Sequence, residues 1–138
     1  MAASVETKIW LALKAKIETL PLSFPVAYPK QDYTPETGKA WIKVSHMLNT
    51  GFRPFIGNAD PELRQGILQL ALHTPLNSQT AEVDMQYAGQ IAAHFAADRK
   101  LYHDGIKVTI QRYPDVGQAY RVDDWWFTPV NVAWQSFS

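Results

Sequence analysis

Ile9, Leu13, Ile17 and Leu20 recur at the spacing of a single helix face, while Lys8, Lys14, Lys16 and Glu18 fall off that face. The pattern predicts a helix over residues 3–20, and Pro21 ends it because proline has no N–H to continue the turn. Residues 26–28, held between Pro25 and Pro29, suit only a short extended piece at a sheet edge. Over residues 40–48, Ile42, Val44 and His46 alternate with Trp41, Lys43 and Ser45, the period of a strand. Residues 64–74 place Leu68, Leu70 and Leu72 on one side and Ile67, Gln69, Ala71 and His73 on the other. Gly66 within that run and Pro75 after it favour a central strand, although leucine also suits helices.

Residues 77–99 read as the second helix. Asn77, Ser78 and Thr80 offer caps, Glu82 and Asp84 sit near the positive end of the dipole, and Ala81, Met85, Ala88, Ala92 and Phe95 form its apolar stripe. Three further strands are expected over residues 106–112, 117–122 and 126–134. In the first, Ile106, Val108 and Ile110 point inward, and in the last Thr128, Val130 and Val132 share a face with Trp126 and Trp134. Pro114-Asp115-Val116-Gly117 and Asp123-Asp124 are turn chemistry, so these three segments should form an antiparallel meander. Helix, strands, helix, strands predicts an α+β fold, a two-layer arrangement in which two main helices pack on one face of a mostly antiparallel sheet.

Composition narrows the class. A chain of 138 residues fits one domain, and 46% hydrophobic residues suffice for a self-standing core at a size where folding buries about 68% of the unfolded surface. The absence of cysteine excludes disulfide scaffolds, thiolate zinc sites, iron–sulfur clusters and cysteine nucleophiles. Thirteen Lys+Arg balance thirteen Asp+Glu, which argues against a nucleic-acid binder relying on a basic field and leaves self-association unopposed by net charge. Charges spread through residues 1–20 do not read as a secretory signal. The longest uncharged apolar run, residues 66–72, is too short for a membrane span, so a soluble chain is expected.

Catalytic patterns are missing. His46, His73, His94 and His103 make no helical i, i+4 pair and no HExxH motif, although a spatial cluster of His46 and His73 with His103 and Asp104 stays open. No Gly-flanked serine turn occurs, and the seven glycines form neither a Walker nor a dinucleotide loop. Asp123 and Asp124, adjacent on an extended segment, point to opposite sides and read as a solvated turn rather than a carboxylate pair.

Two features stand out instead. Residues 49–61 form a connection far longer than the two to five residues of an ordinary hairpin, and carry Phe52, Arg53, Phe55 and Ile56. Phe and Arg are typical interface anchors, and Asp60, Glu62 and Arg64 at its end could add polar pairing. At the C-terminus, Trp125, Trp126, Phe127, Trp134 and Phe137 crowd together, with Phe127 and Phe137 on the opposite parity from Trp126 and Trp134. A sheet covered by helices on one face should leave part of this aromatic surface for a partner. Only Arg112 and Arg121 accompany it, against Asp115, Asp123 and Asp124, so direct nucleic-acid recognition is not expected.

Four segments, in order along nearly the whole chain, carry a resemblance: Thr7-Lys-Ile-Trp-Leu-Ala-Leu, residues 41–47, Arg64-Gln-Gly-Ile-Leu-Gln-Leu, and Gln90-Ile-Ala-Ala-His-Phe. Together they resemble the phage tail terminator-like proteins of long-tailed phages and prophages. The resemblance implies an α+β subunit that forms a ring, hexameric in expectation, at the head-proximal end of the tail tube. It would stop tube polymerisation and present a surface to the head-completion or connector protein. The implied partners are a second copy of the chain, the tail tube protein and the head-completion protein, with no cofactor, no metal, no catalysis and no membrane. The implied place is the virion tail, with assembly in the host cytoplasm. A closed ring joins unlike patches, so Phe52, Arg53, Phe55 and Arg64 on one side and Trp125, Trp126, Phe127 and Phe137 on the other are the expected subunit-interface residues. Two other readings stay open: a dimeric α+β small-ligand-binding or enzyme subunit, with a pocket lined by Trp41, Trp126, Trp134 and His46, and another head–tail completion protein.

Overall fold

A computed structural model describes residues 4–36, 38–48, 63–76, 80–97 and 99–137. Ser4 opens α1 (Val5–Glu18): its side-chain oxygen accepts a hydrogen bond from the Thr7 N–H, satisfying a donor that the helix start leaves free. The strands are β1 (Val26–Ala27), β2 (Trp41–Leu48) and β3 (Leu63–Pro75), followed by α2 (Ala81–Ala97). After α2 come β4 (Lys100–His103), β5 (Ile106–Ile110), β6 (Asp115–Val116), β7 (Tyr120–Val122) and β8 (Trp125–Phe137). They join in one sheet of order β1-β2-β3-β8-β5-β4, with β6 and β7 also on β8. β1 runs parallel to β2 and the other pairs run antiparallel, so the sheet is mixed and the fold is α+β. Among the described residues no helix is long and apolar enough to cross a membrane.

The frame of the molecule is the pair β3–β8, matched from Leu63 opposite Phe137 to Pro75 opposite Trp125. The far edge of β8 takes three short strands in turn: β7 at Trp125–Phe127, β6 at Val130 and Asn131, and β5 at Trp134 and Gln135. Half of the expected meander therefore forms: β7 and β8 pair antiparallel across the Asp123-Asp124 turn, but β5 does not join β7. β5 pairs with β4 and β8 rather than with the segment that follows it, and residues 117–122 hold only the short strand β7. The reason lies in the length of β8, whose free edge offers backbone partners to all three pieces. Pro129 sits mid-strand where proline would ordinarily break a ladder. Its carbonyl accepts the Gly117 N–H at 2.8 Å, and its missing N–H faces the same short edge, so the long β3–β8 ladder loses no bond. β4 is an element the sequence pattern did not predict, joined to β5 by Asp104 and Gly105, both at positive φ as a two-residue turn of primed type requires.

The core gathers one parity of the strands and both helices. Ile42 and Val44, Leu68, Leu70 and Leu72, Val108 and Ile110, and Val130, Val132 and Trp134 pack with Ile9, Leu13 and Ile17 of α1 and Ala88, Ile91, Ala92 and Phe95 of α2. The stripe on α2 differs from the expected one. Asp84 and Ile91 are buried, while Met85 is 60% exposed and Ala81 also faces out. Asp84 can lie inward because the Thr74 hydroxyl donates to its Oδ2 at 3.0 Å, so its polar group keeps a partner out of water. The Thr80 carbonyl accepts from the Val83 and Asp84 N–H groups at the start of α2, and the other expected caps, Asn77 and Ser78, lie outside the described residues.

Candidate functional site

The histidines do not meet. His46 stands opposite Leu68 on the helix-facing side of the sheet, whereas His73 stands opposite Trp41 on the other side, at the far end of the β2–β3 pair. The cluster left open by the sequence is therefore not assembled, and no group of three or more potential metal-ligating side chains occurs among the described residues. His46 is stacked on Trp10 (5.5 Å between centroids) and tilted against Trp134 (5.4 Å). His73 is stacked on Trp41 at 4.1 Å, and its Nδ1 bonds the Ala71 carbonyl. Burial pushes the pKa of both below the usual imidazole value. His94 Nε2–H donates to the Lys16 carbonyl at the end of α1 and shares the Thr19 hydroxyl, and burial lowers its pKa as well. The same parity splits the ligand pocket of the alternative reading: His46, Trp126 and Trp134 belong to the helix-facing side, Trp41 to the opposite side, and Trp134 is fully buried.

The expected interface residues are spread along the length of β8. Trp125, Trp126 and Phe127 lie at its start, where Trp125 meets Trp41 and Phe127 meets His73 (4.5 Å) and Tyr120 (4.8 Å). Trp125 and Phe127 thus have aromatic partners inside the subunit and are only partly exposed. Phe137 stands at the other end of β8, opposite Leu63, and is 53% exposed. At about 3.3 Å per residue, roughly 40 Å separates the two ends, so they do not form one patch. Arg64 lies on β3 near the Phe137 end and pairs with Glu6 of α1 through its Nη1. Phe52, Arg53 and Phe55 lie outside the described residues.

Each end of β8 presents its own surface. Toward the Phe137 end lie Met47 and Leu48, the last residues of β2 and level with Ala133 and Trp134, and Tyr102 on β4, whose partner Lys107 is level with Phe137 in the continued register. Around Trp126, at the opposite end, stand Met85, Val116, Tyr120 and Val122. Here the start of α2 and the chain between β6 and β7 enclose a cavity of about 280 Å³, lined by residues including Asp84, Met85, Val116, Gly117, Trp126 and Thr128. Its wall is mainly apolar. Its polar side chains are the exposed Gln118, the buried Asp84 carboxylate and Thr128, whose hydroxyl has no hydrogen-bond partner among the described residues. Sequence reasoning missed Asp84 and Thr128 as site candidates. The available signal was an acid one turn before Ala88 on the α2 stripe, and a hydroxyl among the inward valines of β8.

Between the ends, the sheet face away from the helices carries amides. Gln69 donates to Asn131, and Gln111 donates to Gln65 and Gln135, so these amides pair with one another across the strands. Most of the exposed apolar side chains thus lie toward the two ends of the strands, with Tyr113 between them and Val83 on α2.

No curated protein matches the sequence. Several solved structures match; one of these chains superposes with a TM-score of 0.77 at 16% identity, over 99% of this chain and 98% of its own, a likeness of fold. A family model described as phage tail terminator protein matches residues 8–134. Running from within α1 to within β8, that match takes in the whole order of elements described above, and the chain belongs to the phage tail terminator protein family.

Proposed function

We propose that this chain is the subunit of a ring, hexameric by expectation, that caps the tail tube of a long-tailed phage or prophage, ends its polymerisation and offers the surface to which the head-completion protein joins. Membership of a structural family of the phage tail is the observation that carries this reading. The distribution of apolar surface supports it. A closed ring uses a heterologous contact between unlike patches, and Met47, Leu48, Tyr102 and Phe137 at one end of the strands differ in kind from Met85, Val116, Tyr120 and Val122 at the other. In this reading the chain works in the virion tail after assembly in the host cytoplasm, and binds a second copy, the tail tube protein and the head-completion protein.

The test is mass in solution by light scattering over a concentration series, with and without tail tube protein. A ring-sized species, either alone or on addition of the tube protein, is the expected result. A chain that stays monomeric or dimeric in both arms, and leaves tube growth unchanged, overturns the reading.

A further inference from the structure

We infer that the cavity between α2 and the β6–β7 connection is the socket of the subunit contact, and that it receives Tyr102 from a second copy of the chain. The inference rests on the ring reading and names the residues that would join its subunits. A volume of about 280 Å³ lies just below the usual range for small-molecule sites, roughly 300–1,000 Å³, and suits one large side chain. Its floor asks for a polar tip. Thr128 is 2% exposed, and its hydroxyl is unpartnered among the described residues and sits just behind the cavity wall, where a turn about χ1 brings it to a guest; a buried hydroxyl without a partner is uncommon in a settled structure. An aromatic side chain ending in a hydroxyl fills the apolar wall and pairs with Thr128 at once.

Tyr102 fits as the occupant. At 68% it is the most exposed large apolar or aromatic side chain among the described residues, and it stands on β4, an outer strand of the sheet. It lies at the Phe137 end of the strands while the socket lies at the Trp126 end, so the contact runs head to tail and propagates around a ring. The charges are complementary. Glu82, Asp84, Asp115, Asp123 and Asp124 lie at the socket end against two cations, Arg112, paired to Asp115, and Arg121, opposite Trp126, so the acids remain in excess there. Arg99, Lys100 and Lys107 flank Tyr102, and the nearby Asp104 is paired to Lys8. Opposite fields of this kind steer two copies into one orientation and disfavour the like-with-like alternatives. The socket is already shaped by the subunit. Gly117 lies against Pro129 where a Cβ would come within 2.9 Å of the proline ring, which holds the β6–β7 chain close over β8.

Cysteine cross-linking tests the contact directly because the chain has no cysteine of its own. Met85→Cys at the socket rim and Lys100→Cys beside Tyr102 are made in separate chains, mixed and oxidised. The mixture is expected to give a disulfide-linked pair at least fivefold faster than either variant alone. Thr128→Val removes the hydroxyl at constant shape; it is expected to leave the melting temperature of the monomer unchanged or raised while weakening self-association at least fivefold. Tyr102→Phe should weaken it as well, and Tyr102→Ala more. Association of the Thr128→Val and Tyr102→Ala chains equal to that of the parent, or cross-linking no faster in the mixture than in the single variants, overturns the socket. If the parent chain meanwhile forms rings with tail tube protein, the ring reading stands and only the socket falls. If the parent forms no ring under any condition, both fall.

Discussion

Gly66 shows how one residue without a side chain lets a large one be buried. It lies opposite Trp134 across the β3–β8 ladder, and a Cβ there would press on the Met47 carbonyl and come within 2.8 Å of the indole ring. Neither neighbour can yield, since one is backbone and the other is fully buried. Gly66→Ala is therefore expected to destabilise the fold by about 1–3 kcal/mol, read from urea unfolding midpoints. The histidines act at the same scale. His46, His73 and His94 all have folded pKa values below the ordinary 6.5, so as pH falls the unfolded chain takes up protons first. Their contribution to stability is complete above pH 6.5 and is lost as pH falls toward the folded values. The melting temperature should be lower at pH 5 than at pH 7.5, and His46→Phe should narrow that difference. An equal pH response in the variant would remove His46 as a cause.

At the scale of elements, α1 and α2 are joined by a cap that neither helix contains alone. The imidazole of His94 on α2 donates to the Lys16 carbonyl, which the Thr19 N–H and hydroxyl also reach, so α2 reinforces the cap that ends α1. Loss of that bond in His94→Ala should lower stability by about 1 kcal/mol and speed amide exchange in the last turn of α1. Both helices and the strands β2, β3 and β8 were legible because their apolar periods are long. The stripe on α2 was read one residue out, at Met85 instead of Asp84, because a pattern of apolar positions does not register a carboxylate buried against a threonine from another element. β4 could have been found. Asp104-Gly105 is a strong hairpin signal, and Leu101 and His103 before it alternate with Tyr102, but the preceding helix pattern ran on to residue 99 and left too little chain for a strand to be counted. The missing β5–β7 half of the meander has a different cause: sequence neighbours usually pair, as β7 and β8 do, and nothing local reveals that β8 offers a free edge long enough to serve β5, β6 and β7 separately.

For the whole molecule, the question is how copies of a neutral chain meet. The expected interface residues Trp125, Trp126 and Phe127 on one hand and Phe137 on the other belong to opposite ends of one strand, which makes them candidates for two different halves of a head-to-tail contact. Residues 49–62 connect Leu48 to Leu63, placing both ends of that connection at the Phe137 side. Phe52→Ala combined with Phe55→Ala is expected to lower the ring-sized fraction in light scattering relative to the parent chain. Unchanged assembly in that double variant would assign the Phe137 half of the contact to β4 and β8 alone.

The apolar periods by themselves determined the two helices, the three long strands and the side of each strand that faces the core, since alternation at two and recurrence near 3.6 are properties of the local chain. Short stretches matching one family in order along the chain also pointed to the tail terminator family, which the match over residues 8–134 establishes. Tertiary structure alone decided which strands share an edge, that His46 and His73 are kept apart by the sheet, and that Asp84 and Thr128 meet in one cavity beside Trp126. These are contacts between residues tens of positions apart, and they depend on how long strands are matched and where a backbone edge is left open, quantities that no local pattern of side chains encodes.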